Sequence, residues 1–407
     1  MRARAPMVPA ATAAMSRGLR LMSRIGSPWF LKMLGRPQWL FEAKVAIPHR
    51  PLTLTEPLAP SSDALELSAR IIDAYRLARD SYGEISPIWA DKVARHHSAL
   101  DAALSAADPA SVNEQLSWMF RRPFLAGIST PVDYEDPAAA WAWSLMTYDG
   151  LASAAEAVGA LNTENPEQGV VGRAFVEGID GVPERIEEVL GISLDYPRVG
   201  APYGILIGGR LVIRETGRHL HAAVRLHEVV KNDLRRSVPE GARILEIGAG
   251  FGGVAMWYQR LLQGRPGSYA IVDLPLMNAF QAYFLGMVYG GDNVSLHGEQ
   301  NSSARIRIGP PSSLAKADFA ADVVFNQDSM PEMSEAAARG YLSWMSENVS
   351  GLFVSCNQEV GSFGGVTQVV VAEMAAGYDN LVRVSRQPSW TRRGYVEEVY
   401  RCGAAGA

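Results

Sequence analysis

The stretch RILEIGAGFGGVAMWYQRLL, residues 243–262, constrains this chain more than any other. An apolar run of strand length breaks into glycines at 248, 250, 252 and 253 and resumes with a helical pattern. A backbone that turns this tightly beneath a ligand needs residues without a Cβ, so that chain and ligand can approach closely. A merely flexible loop is a poor alternative, because a strand before and a helix after are the context in which such loops bind nucleotides. The surrounding chain agrees. The strand-like runs YAIVDL, VSLHG or RIRIG, DVVFNQ and GLFVSCN alternate with helical stretches. This points to βαβ units and a parallel sheet covered on both faces. NLVRVSRQ and GYVEEVYRC, joined by a short turn-like link, read as an antiparallel pair at a sheet edge. Just upstream, GILIGGRLVIRE sets Gly208 and Gly209 between two β-branched runs, a hairpin signal.

Before residue 200 the pattern is helical. Ser61, Ser62 and Asp63 offer N-caps for LELSARIIDAYRLARDSY. Further helices are expected over 88–106 and 111–120, and Asp136 opens a long alanine-rich one. The 407 residues therefore divide into an arm, 1–50, a mainly helical domain, 51–200, and an α/β domain, 201–407. The arm carries nine Lys and Arg against the single acid Glu42. With SPWFLKMLGRPQWLF inside it, the arm could make weak contact with an anionic membrane surface, or pack its tryptophans on the body of the protein. The whole chain has a net charge of −5, which argues against a nucleic-acid partner. No apolar run is long enough to cross a bilayer. The two cysteines, Cys356 and Cys402, lack metal-ligand spacing and suit a reducing cytoplasm.

The glycine loop admits two ligands. Gly248, Gly250 and Gly253 satisfy G-x-G-x-x-G, the dinucleotide fingerprint, with Asp273 at a suitable distance. Glu246 with Gly248, Gly250 and Gly252 gives E-x-G-x-G-x-G, the pattern of S-adenosylmethionine enzymes. Either way, Asp273 at the end of the second strand would accept hydrogen bonds from ribose hydroxyls. A dehydrogenase strand usually stays apolar where Glu246 stands, and the C-terminal antiparallel pair suits a methyltransferase sheet. Both features favour S-adenosylmethionine over NAD.

LEIGAGFGG, YAIVDLPLMNAFQAYFL and DVVFNQDSMPEM together resemble the sugar O-methyltransferase family, over roughly residues 203–402. The resemblance implies a class I, Rossmann-like S-adenosylmethionine-dependent methyltransferase domain. Its mostly parallel seven-stranded sheet would have a reversed last strand and follow a helical N-terminal region. It also implies that Glu246, Gly248, Ala249 and Gly250 line the methionine and ribose part of the cofactor. Asp273 would hold the ribose, Leu274 would lie beside the adenine and Asn326 would stand near the sulfonium.

Methyl transfer to a hydroxyl needs in-line positioning and a base for the alcohol proton. Asp328 and Glu332 are the carboxylates nearest the place where cofactor and a sugar-like acceptor should meet, and are the candidate catalytic pair. Alternatively, Asp328 or Ser329 caps a helix beginning near Pro331, with Glu332 in its first turn. Of His219 and His221, two apart on a helix, at most one can face the pocket. Trp118, Trp141 and Trp143 could stack on sugars but suit a core better. His96 and His97 read as surface residues. Asn357 and Glu359 could contact substrate. Asp328, Glu332 and Glu359 could form an oxygen site for a divalent metal, but none is expected. Competing readings are a methyltransferase of a polyketide, lipid or protein acceptor, an NAD-dependent oxidoreductase, and a silent binding module.

Overall fold

The computed structural model describes residues 50–79, 85–121, 136–165, 167, 172–234, 241–301, 303–363 and 365–403. The expected basic arm lies outside the described residues, except Arg50. Its guanidinium binds both carboxylate oxygens of Asp180 at 2.8 Å.

The elements run β1 Thr53–Leu54, α1 Ser62–Arg79, α2 Pro87–Lys92, α3 Ser98–Ala106, α4 Pro109–Ser117, α5 Pro137–Ala157, α6 Arg173–Glu177 and α7 Val182–Leu190. The hairpin β2 Tyr203–Ile207 and β3 Arg210–Val212 follows, then α8 Thr216–Val229. The α/β part comprises β4 Arg243–Ile247, α9 Gly253–Leu262, β5 Ser268–Val272, α10 Pro275–Tyr289, β6 Val294–Ser295, β7 Ile306–Gly309, β8 Val323–Gln327, α11 Glu335–Asn348 and β9 Leu352–Gln358. It ends with β10 Ser362–Phe363, β11 Val366–Thr367, α12 Val371–Ala375, β12 Leu381–Pro388 and β13 Tyr395–Cys402. The single helix expected over 88–106 is interrupted by a π turn at Val93–His97. His97, expected at the surface, is buried there against Phe280.

The main sheet has the order β12-β13-β9-β8-β4-β5-β7-β6. Strands β6, β7, β5, β4, β8 and β9 are parallel. β13 is antiparallel to both of its neighbours. The fold is thus the expected Rossmann-like one, with the reversed last strand inserted between β9 and β12. The strands number eight, not seven, because both VSLHG and RIRIG contribute and the two-residue β6 forms an extra edge. The switch point falls between β4 and β5 on one side and β8 on the other, and ligands bind beyond the strand ends at such a point.

Alternate residues of each central strand face opposite layers. Leu245 and Ile247 join Val324, Phe353 and Tyr400 beneath α11 and α12. Ile244, Tyr269, Ile271 and Phe325 face the other way. On that side no separate helical core exists among the described residues. One continuous cluster runs from Leu67 and Leu116 through Phe175 and Tyr196 to α9, α10 and the sheet. Phe284 sits at its centre, with ring centroids 5.3 Å from Phe251 and 6.1 Å from Phe120 and Tyr196. A shared core should melt as a unit. We therefore expect a single denaturation transition by circular dichroism and tryptophan fluorescence, lowered by about 3–5 kcal/mol in Phe284→Ala. Two separate transitions would contradict the shared core.

Candidate active site

The glycine loop leaves β4 with Gly248, Gly250 and Gly252 in the left-handed region. Gly248 admits no side chain, since a Cβ there would stand 2.1 Å from Ser329 Oγ. Gly253 is equally closed, by His219 Nδ1 at 2.1 Å. The loop is tied to the second strand. Asp273 Oδ2 accepts from the Ala249 amide at 2.9 Å and from Gln281 Nε2 at 2.7 Å, and Oδ1 accepts from the Leu274 amide at 2.8 Å. Gln281 Nε2 also donates to the Gly250 carbonyl at 2.9 Å. This fully buried glutamine, on the helix after VDLP, fixes the loop and the acid together. Burial pushes Asp273 up to about 6 against the pull of these donors.

The loop opens into a cavity of ≈ 410 Å³ at the carboxyl ends of the parallel strands, within the usual range for small-molecule sites. Among the expected site residues, Glu246, Gly248, Ala249, Gly250, Asp273, Leu274, Asp328 and Glu332 all line it. Two do not. Gly252 turns away and packs on Leu285, where a Cβ would meet Cδ1 at 2.9 Å. Asn326 is buried beneath the floor. Its Nδ2 donates to the Ile247 carbonyl at 2.7 Å and to Ser329 Oγ at 2.5 Å, while Oδ1 accepts from Asn357 Nδ2 at 2.9 Å. It braces the strand ends instead of facing a ligand. Glu246, also buried, accepts from the Tyr269 hydroxyl at 2.9 Å, and burial raises its carboxyl to about 8.

The two carboxylates expected to do chemistry are both engaged. Asp328 accepts from Tyr395 Oη at 2.5 Å and from Arg392, with Arg218 Nη1 at 3.8 Å. Burial alone would raise this carboxyl, but Arg392, Arg218 and Tyr395 outweigh it and hold Asp328 below the ordinary aspartate range. A carboxylate held so low is a weak base at neutral pH. Its backbone has φ +69°, a conformation Asp and Asn tolerate better than most residues. Glu332 Oε2 pairs with Lys92 Nζ at 2.6 Å. The capping alternative also needs correcting. Met330–Glu332 form a 3₁₀ turn, α11 starts later, and Ser334 caps it by accepting from the Ala337 amide at 3.2 Å. Glu359 pairs with Arg386 at 2.7 Å, so Asp328, Glu332 and Glu359 each hold a different cation and do not converge on a metal.

Of the two histidines on α8, His219 is the one that faces the cavity. It lines the cavity, its ring 5.3 Å from that of Phe251, while His221 faces a separate crevice beside Glu397. Burial first, then Arg218 and Arg392, push His219 well below an ordinary histidine, so its imidazole is neutral at pH 7. Trp89 of α2, with Ile85 and Ser86 just before that helix, also lines the cavity. Trp118, Trp141 and Trp143 do not reach it. Trp89 carried no signal that set it apart from the other helical tryptophans.

No family model and no curated protein matches this chain. Solved structures do resemble parts of it. The Burkholderia thailandensis 1,6-didemethyltoxoflavin-N1-methyltransferase, bound to S-adenosylhomocysteine, is 16% identical over 46% of this chain and 79% of its own, with a TM-score of 0.30. An O-methyltransferase family 2 protein from Planctomyces limnophilus, in complex with apigenin, is 10% identical over 64% and 95%, at 0.31. The ribosomal protein L11 methylase of Lactobacillus delbrueckii subsp. bulgaricus is 12% identical over 45% and 80%, at 0.29. The fold assignment here rests on strand order and direction, and these likenesses leave the acceptor open.

The raised carboxyl of Glu246 makes a stability prediction. Between the ordinary value of 4.5 and about 8 the folded protein keeps a proton that the unfolded chain releases, so stability falls as pH rises through that window. Glu246→Gln keeps an acceptor for Tyr269 without the charge. It should melt like the wild type near pH 4 and several degrees higher at pH 8.5. A difference independent of pH would contradict the buried, neutral carboxyl.

Proposed function

We propose that this protein is an S-adenosylmethionine-dependent O-methyltransferase acting on a hydroxyl of a sugar-like small molecule. One observation carries the reading: a single cavity runs from Asp273 and the glycine loop to His219 and Asp328 at the strand ends. The sheet favours this cofactor over NAD, because a dinucleotide fold has six parallel strands in the order 3-2-1-4-5-6, whereas here β13 is reversed. The cradle fits the cofactor: close-packed glycines, an acid at the second strand end, and apolar walls from Leu274, Met277, Pro311 and Leu314. In this reading Asp273 takes the ribose hydroxyls, Leu274 flanks the adenine, and Glu246, Gly248, Ala249 and Gly250 line the remainder.

S-adenosylmethionine supplies, when bound, an electrophilic methyl group on a positively charged sulfur. The protein then has to orient an acceptor hydroxyl and receive its proton. His219 is the base, since its imidazole is already neutral and opens on the cavity. Asp328 stays ionised and holds Arg392 and Tyr395, a positioning task rather than proton transfer. Trp89 offers an apolar face on which a sugar ring can stack, and this, with the quoted sequence resemblance, supports a sugar-like acceptor. In this reading Ile85, Ser86 and Trp89 of the helical region cover the site, and the glycine loop with Asp273 forms its cofactor-binding base.

With methyl-labelled S-adenosylmethionine and a panel of sugars and sugar conjugates, we expect base-stable methyl ether products. Labelling only of nitrogen or protein acceptors would refute the hydroxyl assignment. His219→Asn should lower kcat by about 100-fold or more, with S-adenosylhomocysteine affinity within about threefold. Asp328→Asn, which the left-handed backbone tolerates, should lose stability along with activity. Turnover of His219→Asn near that of the wild type would remove His219 from this role. Because Asp273 ionises near pH 6 in the free protein, S-adenosylhomocysteine affinity should rise as pH passes upward through about 6. Affinity that falls over that interval would contradict the ribose contact.

A further inference from the structure

Arg218 is a cation without a full partner. It follows the hairpin on α8, one residue before His219, and the two side chains leave the helix about 100° apart. His219 meets Phe251 and Gly253 of the glycine loop. Arg218 lines the main cavity beside His219 and Asp328, and also borders the Thr391–Arg392 turn and a small side cavity of ≈ 50 Å³. Three guanidiniums gather there: Arg214, Arg218 and Arg392. Glu215 lies 3.7 Å from Arg214, and Asp149 lines the same side cavity. Asp328 is taken by Arg392 and Tyr395. Arg218 is left with a 3.8 Å approach to Asp328, too long for a hydrogen bond. Among the described residues it makes no hydrogen bond, and its Nε is buried without a partner. Burial, with Arg392 adjacent, lowers Arg218 to about 10, the direction expected of a buried cation short of counter-charge. The buried Nε is costly to leave unmet, and the donor fork of the guanidinium matches a carboxylate or phosphate in geometry.

We propose that Arg218 receives an anionic group, phosphate or carboxylate, of the acceptor, so that the methyl group goes to a charged molecule such as a sugar phosphate or a uronate. The proposal rests on the methyltransferase reading, and refines its acceptor. The methionine carboxylate of the cofactor is the other source of the same chemistry, and the 3.8 Å approach of Arg218 to Asp328, on the side where the acceptor is read to sit, favours the acceptor.

Calorimetry separates the possibilities. Protein saturated with S-adenosylhomocysteine is titrated with inorganic phosphate, a hexose 1-phosphate and the neutral hexose. We expect phosphate to bind, and the hexose 1-phosphate to bind at least tenfold more tightly than the hexose. Arg218→Gln should abolish that preference, Arg218→Lys should restore part of it, and S-adenosylhomocysteine affinity should stay within about threefold in both. Absence of phosphate binding to the loaded wild type overturns the proposal, and this result needs no variant to fold. A tenfold loss of S-adenosylhomocysteine affinity in Arg218→Gln, with the phosphate preference intact, overturns it by assigning Arg218 to the cofactor. Failure of the wild type to bind S-adenosylhomocysteine at all overturns instead the methyltransferase reading beneath it.

Discussion

The site hangs on one buried amide. Asn326, at the end of β8, binds the last carbonyl of β4, the hydroxyl of Ser329 and the side chain of Asn357 on β9. Asn357 in turn accepts from the Asp328 amide at 2.8 Å. Three parallel strands are thereby cross-linked where their own ladders end, and buried polar groups at such ends must find partners. Ser329, held in this network, fills the space that only a glycine at 248 leaves open. The glycine loop and the Asp328 loop are therefore positioned by the same few hydrogen bonds. Displacing either would strand buried donors and acceptors in the other.

Around this brace the charges are sorted. Each carboxylate near the cavity mouth holds its own cation, Glu332 with Lys92 and Asp328 with Arg392. Two further acids, Glu246 and Asp273, are pushed up by burial. His219 brings a neutral imidazole to the same cavity. On the proposed reading this division suits methyl transfer: fixed charges orient the partners while an uncharged imidazole takes the proton. Lys92 also ties α2 to the strand ends, and the continuous core beneath it carries Phe251 of the glycine loop against Phe120 and Phe284. The helical region is thus packed into the site, not appended to it.

Much of this was legible in the sequence, and what was not has identifiable causes. The glycine loop, Asp273, the alternation of strands and helices and the reversed C-terminal pair are local patterns, and local periodicity and turn chemistry report them faithfully. VSLHG and RIRIG read as alternatives for one strand, and both form one, because a two-residue strand such as Val294–Ser295 carries too little periodicity to decide. VVFNQDSMPEM does run to the cavity, where Asp328 and Glu332 line it and Asn326 lies beneath. The resemblance puts Asn326 near the sulfonium and position along the chain puts Asp328 beside the acceptor, but the hydrogen-bond partners that hold them, Asn357, Arg392 and Tyr395, come from distant segments. A residue's hydrogen-bond partners across a sheet cannot be read from its neighbours along the chain. The same holds for His219, whose neutrality depends on burial, on Arg218 beside it and on Arg392 from the distant link between β12 and β13, and for Trp89, one helical tryptophan among several.

The central claim is that the carboxyl edge of this sheet is an S-adenosylmethionine site built on the glycine loop and Asp273. The most direct measurement is a thermal-shift comparison of the wild-type protein with S-adenosylhomocysteine and with NADH at equal concentration. The account predicts an upward shift of several degrees with S-adenosylhomocysteine and none with NADH. Stabilisation by NADH with no response to S-adenosylhomocysteine would contradict it.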